Sequence, residues 1–569
     1  MQNPFIKRLF LNHPTIISVI EEAETPQKAR NYLKAYLEEY SRFLSKGSHR
    51  DSSLAWSQQI TCLRVFQEMI SIRSERISHF SIIMRLWQAI HDRETPGEEP
   101  LSDSFYADLE HILAGMSGKS AVYVSGELPE FVHMSGIEAA VTRSDELDTL
   151  ASHTLAWIGR YAHGLQPEVI ERRRENRTRI LARLGGSEED WGDYRWHLRH
   201  LLRDSATIGS LIELTDEERG AVDRARASRL PFGVTPYYAS LMDLEAHRRD
   251  DHAVRAQVLP PPFYVDTMRE HDNDRAEYFD FMRETDTSPV DLITRRYPHI
   301  AIFKPYNTCS QICVYCQRNW EINDVLFPEA LALPEKIDRA IGWLSDHPAI
   351  TEVLVTGGDP LVMPDHVLAG ILDRLAAISH IERIRIGSRI VVALPQRMTE
   401  ALADLLARHH LPGRREVALI THFEHPYEVT PEAMEAVQKV RRRGISVYNQ
   451  AVFTMENSRR FELVALRRQL RLIGVDAYYT FCTKGKDETR DYRVPIARLQ
   501  QEVKEEARLM PGLVRTDEPV YNVPRLGKNY LRAEQNHALV TILPDGSRLY
   551  EFHPWEKNLT LAPTYLHKD

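Results

Sequence analysis

Cysteine is scarce in this sequence, with five residues among 569, and three of the five fall within eight positions. So few thiols, so unevenly spread, do not form a disulfide framework, which indicates a reducing compartment such as the cytoplasm. No apolar run reaches the length of a membrane span, and the first residues lack the basic-then-apolar layout of a signal peptide. Basic residues are not in excess, because the net charge is −9. We therefore expect a cytoplasmic protein with no membrane association and no nucleic-acid binding.

A chain of 569 residues is long enough for two or three domains. Residues 1–165 have apolar residues three and four apart and contain no catalytic motif, so we predict a mostly helical N-terminal domain for packing or assembly. Residues 166–295 continue the helical pattern and lead into the core, with Thr215 as a helix N-cap. The basic run 172–179 is interpreted as a solvated helix face, because the chain as a whole is acidic.

From His299 onward, short apolar strands alternate with helical segments. The candidate strands are 300–304, 352–356, 383–387, 416–421, 446–452 and 476–482. Such alternation predicts an α/β fold with parallel β/α units, here a partial (β/α)6 barrel within residues 296–510. Active sites of barrels lie at the C-terminal ends of the strands. Residues 511–569 are predicted to form a C-terminal segment that includes a β-hairpin.

Three cysteines follow the first candidate strand, as Cys309, Cys313 and Cys316 in a C-x3-C-x2-C pattern. Iron–sulfur clusters normally take four thiolates, so three cysteines would leave one iron of a [4Fe–4S] cluster open to a small molecule. A zinc knuckle is the alternative, but zinc needs a fourth ligand and no Cys or His follows Cys316 closely. The spacing resembles that of radical S-adenosylmethionine (SAM) enzymes, in which the open iron binds SAM and the cluster cleaves it to a 5′-deoxyadenosyl radical.

The turn Gly357-Gly358-Asp359-Pro360 follows the second candidate strand, one β/α unit after the cysteines. Glycines let a backbone approach a ligand closely, and the Asp359 carboxylate is suited to accept a hydrogen bond from the SAM ammonium group. We therefore predict that Gly357, Gly358 and Asp359 contact SAM.

From about Trp191 to Trp555 the chain resembles the lysine 2,3-aminomutase family of radical SAM, pyridoxal-phosphate (PLP) enzymes. The matching stretches are 191–196, 235–238, 296–298, the cysteine loop, 355–359, 385–389, 394–397, 421–426 and 449–450. The resemblance implies that Tyr315 lies beside the adenine of SAM and that Gln450 contacts SAM.

In this family PLP is bonded to a lysine near the C-terminus, in a glycine-rich segment. The matching residue is Lys528, which the resemblance makes the catalytic lysine, although the glycine run is reduced here to Gly527. Arg296 and Arg525 are the expected partners of the PLP phosphate, by charge and forked geometry. The family arginine that holds the substrate α-carboxylate matches Arg318, and such a pair is naturally bidentate.

Two positions indicate the substrate. The lysine enzyme binds the ε-ammonium group of its substrate with two aspartates, and the matching positions here hold Lys484 and Asn522. Lys484 would repel an ammonium group, whereas a cation and an amide donor together suit a carboxylate. Glutamate 2,3-aminomutase has a Lys and an Asn at these places, so the resemblance is closest to that enzyme. The alternative is that Lys484 points to solvent.

We interpret the chain as a radical SAM, PLP-dependent 2,3-aminomutase, an isomerase that converts L-glutamate to β-glutamate (3-aminoglutarate). The expected partners are a small amino acid substrate, an electron donor of the flavodoxin or ferredoxin type, and further copies of the chain in a homo-oligomer. Two alternatives stay open: a family aminomutase that acts on another amino acid, and an Fe–S and SAM-binding protein without turnover. No C-terminal zinc site is expected, because no cysteine follows Cys482.

Overall fold

The structure, a computed structural model, describes residues 4–46, 53–91, 93, 99–119, 130–246, 250–483, 487–532, 537–552 and 565–569. The chain divides into two compact units. The first comprises Met1–Glu146 together with Glu534–Asp569, and the second comprises Leu147–Ala533. None of the described helices combines the length and the apolar character that crossing a membrane requires.

The α-helices of the described residues follow one another along the whole chain. They are α1 (Pro4–Asn12), α2 (Pro14–Glu21), α3 (Pro26–Lys46), α4 (Ser53–Met69), α5 (Ile72–Ser78), α6 (Ile82–Ile90), α7 (Asp103–Met116), α8 (Gly136–Ile158), α9 (Pro167–Leu184), α10 (Glu188–Gly192), α11 (Tyr194–Arg199), α12 (Ser205–Gly209), α13 (Asp216–Ala227), α14 (Pro236–Ala239), α15 (His252–Val258), α16 (Pro262–Glu270), α17 (Arg275–Phe279), α18 (Pro334–Ser345), α19 (Asp365–Ala377), α20 (Ile390–Ala393), α21 (Glu400–Ala407), α22 (Pro431–Arg441), α23 (Glu462–Leu472) and α24 (Ile496–Leu509).

Within the described residues, the strands begin only after residue 292. They are β1 (Ile293–Thr294), β2 (Ile300–Tyr306), β3 (Glu352–Gly357), β4 (Arg383–Gly387), β5 (Glu416–Thr421), β6 (Ser446–Phe453), β7 (Asp476–Cys482), β8 (Glu518–Val523), β9 (Gly527–Tyr530), β10 (His537–Ile542), β11 (Arg548–Phe552) and β12 (Tyr565–Lys568).

Strands β1 to β9 form one sheet in the second unit, and neighbours in space are neighbours in sequence. From β2 to β8 every pair is parallel, whereas β1 and β9 pair antiparallel at the two ends. Parallel strands in consecutive order need a crossover after each strand, and right-handed crossovers in one direction all cover the same face of the sheet. The structure therefore confirms the predicted α/β class with its consecutive β/α units.

The predicted strands are found as β2 to β7, of which β2, β3 and β6 alternate between buried and half-buried residues whereas β4 and β5 are largely buried. In β2 and β6 the alternation is unbroken along the whole strand. The helix start at Thr215 is also confirmed: its hydroxyl accepts from the Glu218 amide at 3.0 Å, and the Glu218 carboxylate accepts from the Thr215 amide at 2.9 Å. This reciprocal pair satisfies two free amides at the start of α13.

The prediction of a solvated face over residues 172–179 is wrong for one side of α9. Arg173 is buried, pairs with Glu432 at 2.9 Å and lies 5.4 Å from the centroid of the Tyr237 ring. Asn176 is also buried and donates to the carbonyls of Ser240 and Met242 at 3.0 and 2.9 Å. The net charge of a chain says nothing about the partner that one side chain meets in the fold, which is why the inference failed.

The first unit combines helices α1 to α7 with the antiparallel sheet β10–β11–β12. Its core contains helix residues such as Leu33 and Phe66 together with Ile542 of β10. The Ser74 hydroxyl donates to the Val540 carbonyl at 2.9 Å. The predicted hairpin is present as β10 and β11, and β12 adds a third strand beside β11 that the sequence did not indicate. The last described strands therefore belong with the first helices.

Candidate active site

A cavity of about 590 Å³ in the second unit lies where the parallel strands end. Twelve of the residues singled out in the sequence line it: Arg296, Cys309, Cys313, Tyr315, Cys316, Arg318, Gly357, Gly358, Asp359, Gln450, Asn522 and Lys528. Lys484 lies outside the described residues. Because parallel strands present their C-terminal ends at one edge, residues far apart in sequence converge there.

The three cysteines of the loop after β2 all face this cavity. Burial raises the pKa of the Cys309 thiol, and Asp359 and the other two cysteines raise it further. Burial likewise raises the pKa of Cys313 to about 11, although Arg389 opposes the shift. Thiols that raise one another's pKa lie close together, and thiolates at this place require a cation to balance them. The Arg389 Nη1 donates to the Cys313 sulfur at 2.9 Å and the Arg318 amide donates to the Cys316 sulfur at 3.4 Å. Three neighbouring sulfur atoms with N–H donors to two of them fit an iron–sulfur cluster.

The glycines after β3 allow the turn that contains them to lie directly against the backbone of residues 306–308. Gly357 has φ +119°, and a Cβ there would collide with the carbonyl oxygen of Tyr306. A Cβ on Gly358 would collide with the backbone of Thr308. The Gly358 and Asp359 amides donate to the carbonyls of Tyr306 and Thr308 at 2.7 and 2.8 Å. The glycines therefore lock the turn after β3 onto the start of the cysteine loop; direct contact with SAM stays a prediction.

Replacement of Gly358 by Ala is expected to lower the free energy of unfolding by about 1–3 kcal/mol, as overpacking against a rigid neighbour does. The same change is expected to reduce iron uptake, because the displaced backbone begins the cysteine loop. Thermal unfolding and iron content would be measured on the full chain. Gly370→Ala is the matched control: Gly370 lies in α19 with open space at its Cβ, so that change should leave iron content at the wild-type value. Equal iron content in both variants would contradict the prediction.

The Asp359 carboxylate holds two turns together. One oxygen accepts from the Ser388 hydroxyl at 2.7 Å and from the Leu361 amide at 3.0 Å, and the other accepts from the Arg389 amide at 2.8 Å. Burial raises its pKa even so. Asp359 thus joins the turn after β3 to the turn after β4, and its predicted contact with SAM would use the acceptor capacity that these bonds leave.

Arg318 is paired with acidic side chains in the structure. Its Nη1 lies 2.9 Å from Glu284 and 3.2 Å from Glu321, and Lys304 pairs with the same two carboxylates at 3.1 and 2.7 Å. Burial alone would lower the pKa of Arg318, but the two glutamates raise it. The four charges balance, so Arg318 is a fixed cation whose orientation is set before any ligand binds.

The predicted lysine lies on an antiparallel hairpin that the sequence did not indicate. Asn522 of β8 and Lys528 of β9 are direct cross-strand partners, joined by the turn that holds Arg525. Gly527 has φ +114°, and the Lys528 amide donates to the Tyr297 hydroxyl at 2.8 Å. Asn522 is buried, and its amide donates to Gln317 at 3.4 Å. The hairpin thus presents Asn522 and Lys528 at the same level of the cavity.

The two arginines predicted for the PLP phosphate are in different positions. Arg296 lines the cavity, and its guanidinium donates to the carbonyls of Arg525 and Met282 at 2.8 and 2.5 Å. Arg525 is exposed and does not line the cavity. Its amide donates to Phe281 at 3.1 Å, so it is the turn backbone that is held in place. Arg296 is therefore the better placed of the two for an anionic group.

The amine of Lys528 is enclosed by aromatic rings. Its Nζ lies 4.1 Å from the centroid of the Tyr479 ring and 5.9 Å from those of Tyr297 and Phe481. Burial lowers the pKa of Lys528 to about 7, and Arg385 lowers it further. Half of the amine is therefore neutral near physiological pH, which is the form that attacks a carbonyl.

Tyr315, Gln450 and His422 complete the wall of the cavity. Tyr315 makes an edge contact with Tyr492, with ring centroids 5.5 Å apart. Gln450 lies where the pairing of β6 with β7 slips by one residue, an irregularity that re-aims side chains. Burial lowers the pKa of His422 to about 4, so this ring is neutral at physiological pH.

Sequence reasoning assigned no individual role to Arg389 or Glu428, which meet at the cavity wall. Arg389 follows β4, and its Nη1 donates to the sulfur of Cys313 at 2.9 Å. Glu428 lies in the segment after β5, and it pairs with Arg389 at 2.7 Å. The signal that could have revealed both is their place after consecutive parallel strands, where barrel active sites are assembled.

A second group of potential metal ligands, His252, His425 and Glu462, has its ligand atoms within 4.8 Å of one another. Arg459 donates to Glu462 at 2.6 Å and lies 3.0 Å from the Nε2 atom of His252. The Tyr427 amide donates to Nδ1 of His425, so the proton of that ring is on Nε2, which faces Glu462 at 3.2 Å. A guanidinium and a ring proton occupy the positions of a metal ion, and the group is an ion-pair network.

Comparison with known proteins agrees with this geometry. Residues 303–466 match the model of the Radical SAM superfamily. An uncharacterised KamA family protein of Methanocaldococcus jannaschii is 41% identical, over 99% of this chain and 93% of its own. The glutamate 2,3-aminomutase of Clostridioides difficile is 33% identical, over 58% of this chain and 74% of its own. The L-lysine 2,3-aminomutase of Bacillus subtilis is 34% identical, over 55% of this chain and 62% of its own.

The similarity to the archaeal protein extends over nearly the full length of both chains, and the superfamily model covers the strands that surround the cavity from β2 to β6. The chain therefore belongs to the KamA family of radical SAM proteins.

Proposed function

We propose that this chain is a radical SAM, PLP-dependent 2,3-aminomutase that converts L-glutamate to 3-aminoglutarate. The observation that carries the proposal is one cavity lined both by Cys309, Cys313 and Cys316 and by Lys528. The family implies SAM and a [4Fe–4S] cluster, and a lysine with a pKa near 7 is the nucleophile that PLP needs. An electron donor and a homo-oligomer belong to the same proposal.

The cavity has the size that these groups need. Small-molecule and cofactor sites typically enclose about 300–1,000 Å³, and this one encloses about 590 Å³. A structural zinc knuckle is a closed, four-ligand site that requires no such cavity, so the volume supports the cluster over zinc. When bound, the cluster with SAM supplies the radical that takes hydrogen from carbon, and PLP supplies the carrier for the amino group as it moves between C2 and C3.

The protein's own contribution is to bind, orient and exclude water. In this proposal Arg318, whose Nη1 pairs with Glu284 and Glu321, binds the α-carboxylate of the substrate through the N–H donors that these pairs leave. The Lys528 amine, whose pKa is lowered to about 7, is neutral in about half of the molecules at pH 7 and in that form exchanges with the substrate amino group. The buried position of Arg318 and the aromatic rings around Lys528 limit the access of water that would destroy a reactive species.

The charges of the cavity support an acidic substrate. The acidic residues that line it within the described part of the chain are Glu284, Glu352, Asp359 and Glu424. Each has donors already: arginines for Glu284 and Glu352, and backbone amides for Asp359 and Glu424. A substrate ammonium group would therefore have to share each of these carboxylates with a donor that already contacts it. Asn522, an amide beside Lys528, is suited to donate to a carboxylate instead.

Lys484→Ala is expected to lower kcat/KM for glutamate by roughly 30-fold or more, because loss of a charged partner in a desolvated site costs about 2–5 kcal/mol. Asn522→Asp is also expected to lower kcat/KM for glutamate, because the new carboxylate would repel the carboxylate of the substrate. Product analysis after anaerobic incubation with SAM, PLP and a panel of amino acids measures the effect.

Binding of PLP and SAM should be unchanged in the Lys484→Ala variant, because Lys528 and the cysteines are intact. Lys336→Ala, which removes an exposed lysine of α18 paired with Asp291, is the control and should keep wild-type turnover. If the wild-type protein turned over lysine and not glutamate, the proposed substrate would be wrong and lysine would take its place. Binding of SAM without turnover of any amino acid would favour a protein that has kept the fold and lost the reaction.

A further inference from the structure

Arg389 stands between a cluster cysteine and a buried carboxylate. Its Nη1 donates to the Cys313 sulfur at 2.9 Å, and its Nε donates to the His422 carbonyl at 3.1 Å. Its Nη2 donates to Glu428 at 2.7 Å and to the Tyr238 hydroxyl at 3.1 Å. All three nitrogen atoms of the guanidinium thus donate hydrogen bonds, which fixes its orientation toward the sulfur.

Glu428 fixes this arrangement from the other side. The residue is fully buried. One of its oxygens accepts from the Tyr238 hydroxyl at 2.6 Å and from the Gln257 amide at 3.0 Å. The other accepts from the backbone amides of Glu424 and His425 at 2.7 and 3.2 Å. Five donors, Arg389 included, converge on one carboxylate, so Glu428 is a fixed negative charge that balances the guanidinium.

A cation and an N–H donor at a cluster ligand change the energy of the cluster's oxidation states. Reduction adds one electron and therefore one negative charge to the cluster, and a nearby positive charge stabilises the more negative state. Hydrogen bonds to ligand sulfur atoms and the net charge around a cluster are among the factors that set its reduction potential. In a buried site of low dielectric constant, solvent screens such effects little.

We propose that Arg389 is a positioning residue that raises the reduction potential of the cluster through Cys313, with Glu428 as its fixed counter-charge. The step is the one-electron reduction of the cluster by an external donor, with no bond formed or broken in the protein. This inference rests on the proposed cluster at Cys309, Cys313 and Cys316. It also explains why the segments that contain Tyr238, Arg389 and Glu428 meet near this sulfur, although Tyr238 is more than 150 positions from each of the other two residues.

The test is a potentiometric titration of the full-length protein, reconstituted anaerobically with iron and sulfide, without SAM, and followed by electron paramagnetic resonance. Arg389→Gln removes the cation, and we expect at least a tenfold fall in the equilibrium constant for one-electron reduction, which is a shift of about 59 mV to lower potential. Glu428→Gln removes the counter-charge, and we expect a shift to higher potential. A change caused only by loosened packing would move both variants in the same direction.

Arg385→Gln is the matched control, because Arg385 also lines the cavity but contacts Glu352 and Tyr478 at 2.9 and 3.0 Å. In this variant the equilibrium constant for one-electron reduction of the cluster should stay within twofold of the wild-type value. If Arg389→Gln loads no iron, Arg389→Lys takes its place. This variant keeps a positive charge but loses the forked donor geometry of the guanidinium, and we expect its equilibrium constant for one-electron reduction to fall at least threefold.

Wild-type potential in the Arg389 variant, or shifts of one sign in the Arg389 and Glu428 variants, would overturn the inference while leaving the proposed function intact. Loss of iron from every Arg389 and Glu428 variant with unchanged thermal unfolding would also overturn it, because a residue outside the ligand set would then be needed for binding. A wild-type protein that takes up no cluster would overturn the proposed function and this inference with it.

Discussion

Replacement of Cys309, Cys313 or Cys316 by Ala is expected to abolish cleavage of SAM and to remove most of the bound iron. Each sulfur is one of the three proposed protein ligands, and a cluster held by two would not keep the position that leaves one iron open. The cavity is buried, so water or a buffer ion does not replace a missing thiolate well. Iron and sulfide content and the release of 5′-deoxyadenosine, both after anaerobic reconstitution, measure the loss.

Cys62→Ala is the control for this series. Cys62 lies on α4 in the first unit, so its replacement should leave iron content and SAM cleavage at wild-type values. A triple Ala variant at positions 309, 313 and 316 that kept its full iron complement would show that the cluster ligands lie elsewhere.

Lys528→Met is expected to abolish covalent attachment of PLP, and the wild-type protein is expected to attach PLP with a midpoint near pH 7. Burial, with a further contribution from Arg385, lowers the pKa of Lys528 from 10.5 to about 7. Above this pH the amine is neutral and attacks the aldehyde, and below it the amine is protonated and inert. At pH 7 about half of Lys528 is neutral, against on the order of 1 in 3,000 for an ordinary lysine.

The same shift fixes the sign of a stability effect. The folded state disfavours the charged amine, so the presence of Lys528 reduces the free energy of unfolding progressively as the pH falls from about 10.5 towards 7. The Lys528→Met variant should therefore be more stable than the PLP-free wild type at pH 7 and lose that advantage above pH 10.5. Borohydride reduction and mass spectrometry locate the PLP adduct, with Lys336→Met as a control that keeps it. An adduct on another lysine would refute the assignment of Lys528.

The barrel strands and the cysteine loop were predictable because their signals are local. Short apolar segments that alternate with helical patterns indicate β2 to β7, and the cysteines lie within eight positions after the first of them. The rule that active sites form where parallel strands end then brings Gly357, Gly358 and Asp359 to the same cavity as the cysteines without knowledge of any contact. Resemblance to a family pointed to Lys528, which no local pattern marks.

The rest depends on contacts between distant residues. The hairpin β8–β9 consists of two short strands, and nothing in its sequence announces that Asn522 will face Lys528 across it. The pairing of Arg318 with Glu284 and of Arg389 with Glu428 joins residues 34 and 39 positions apart, beyond the reach of periodicity (318 − 284 and 428 − 389). Burial of Arg173 in α9 was missed for the same reason, because its partner Glu432 lies in another element.

The first unit is assembled from the two ends of the chain, and this has a consequence for its biosynthesis. Arg73 and Glu551 pair at 2.5 Å although they are 478 positions apart. A ribosome that adds about 5–20 residues per second needs roughly 25–95 s to cover that distance. Residues 147–533 form a continuous unit and emerge complete within that interval. The barrel can therefore fold during translation, whereas helices α1 to α7 cannot complete their unit until strands that follow residue 533 have left the ribosome. A nascent-chain chaperone would have to protect this intermediate, in which the helices of the first unit still lack their strands.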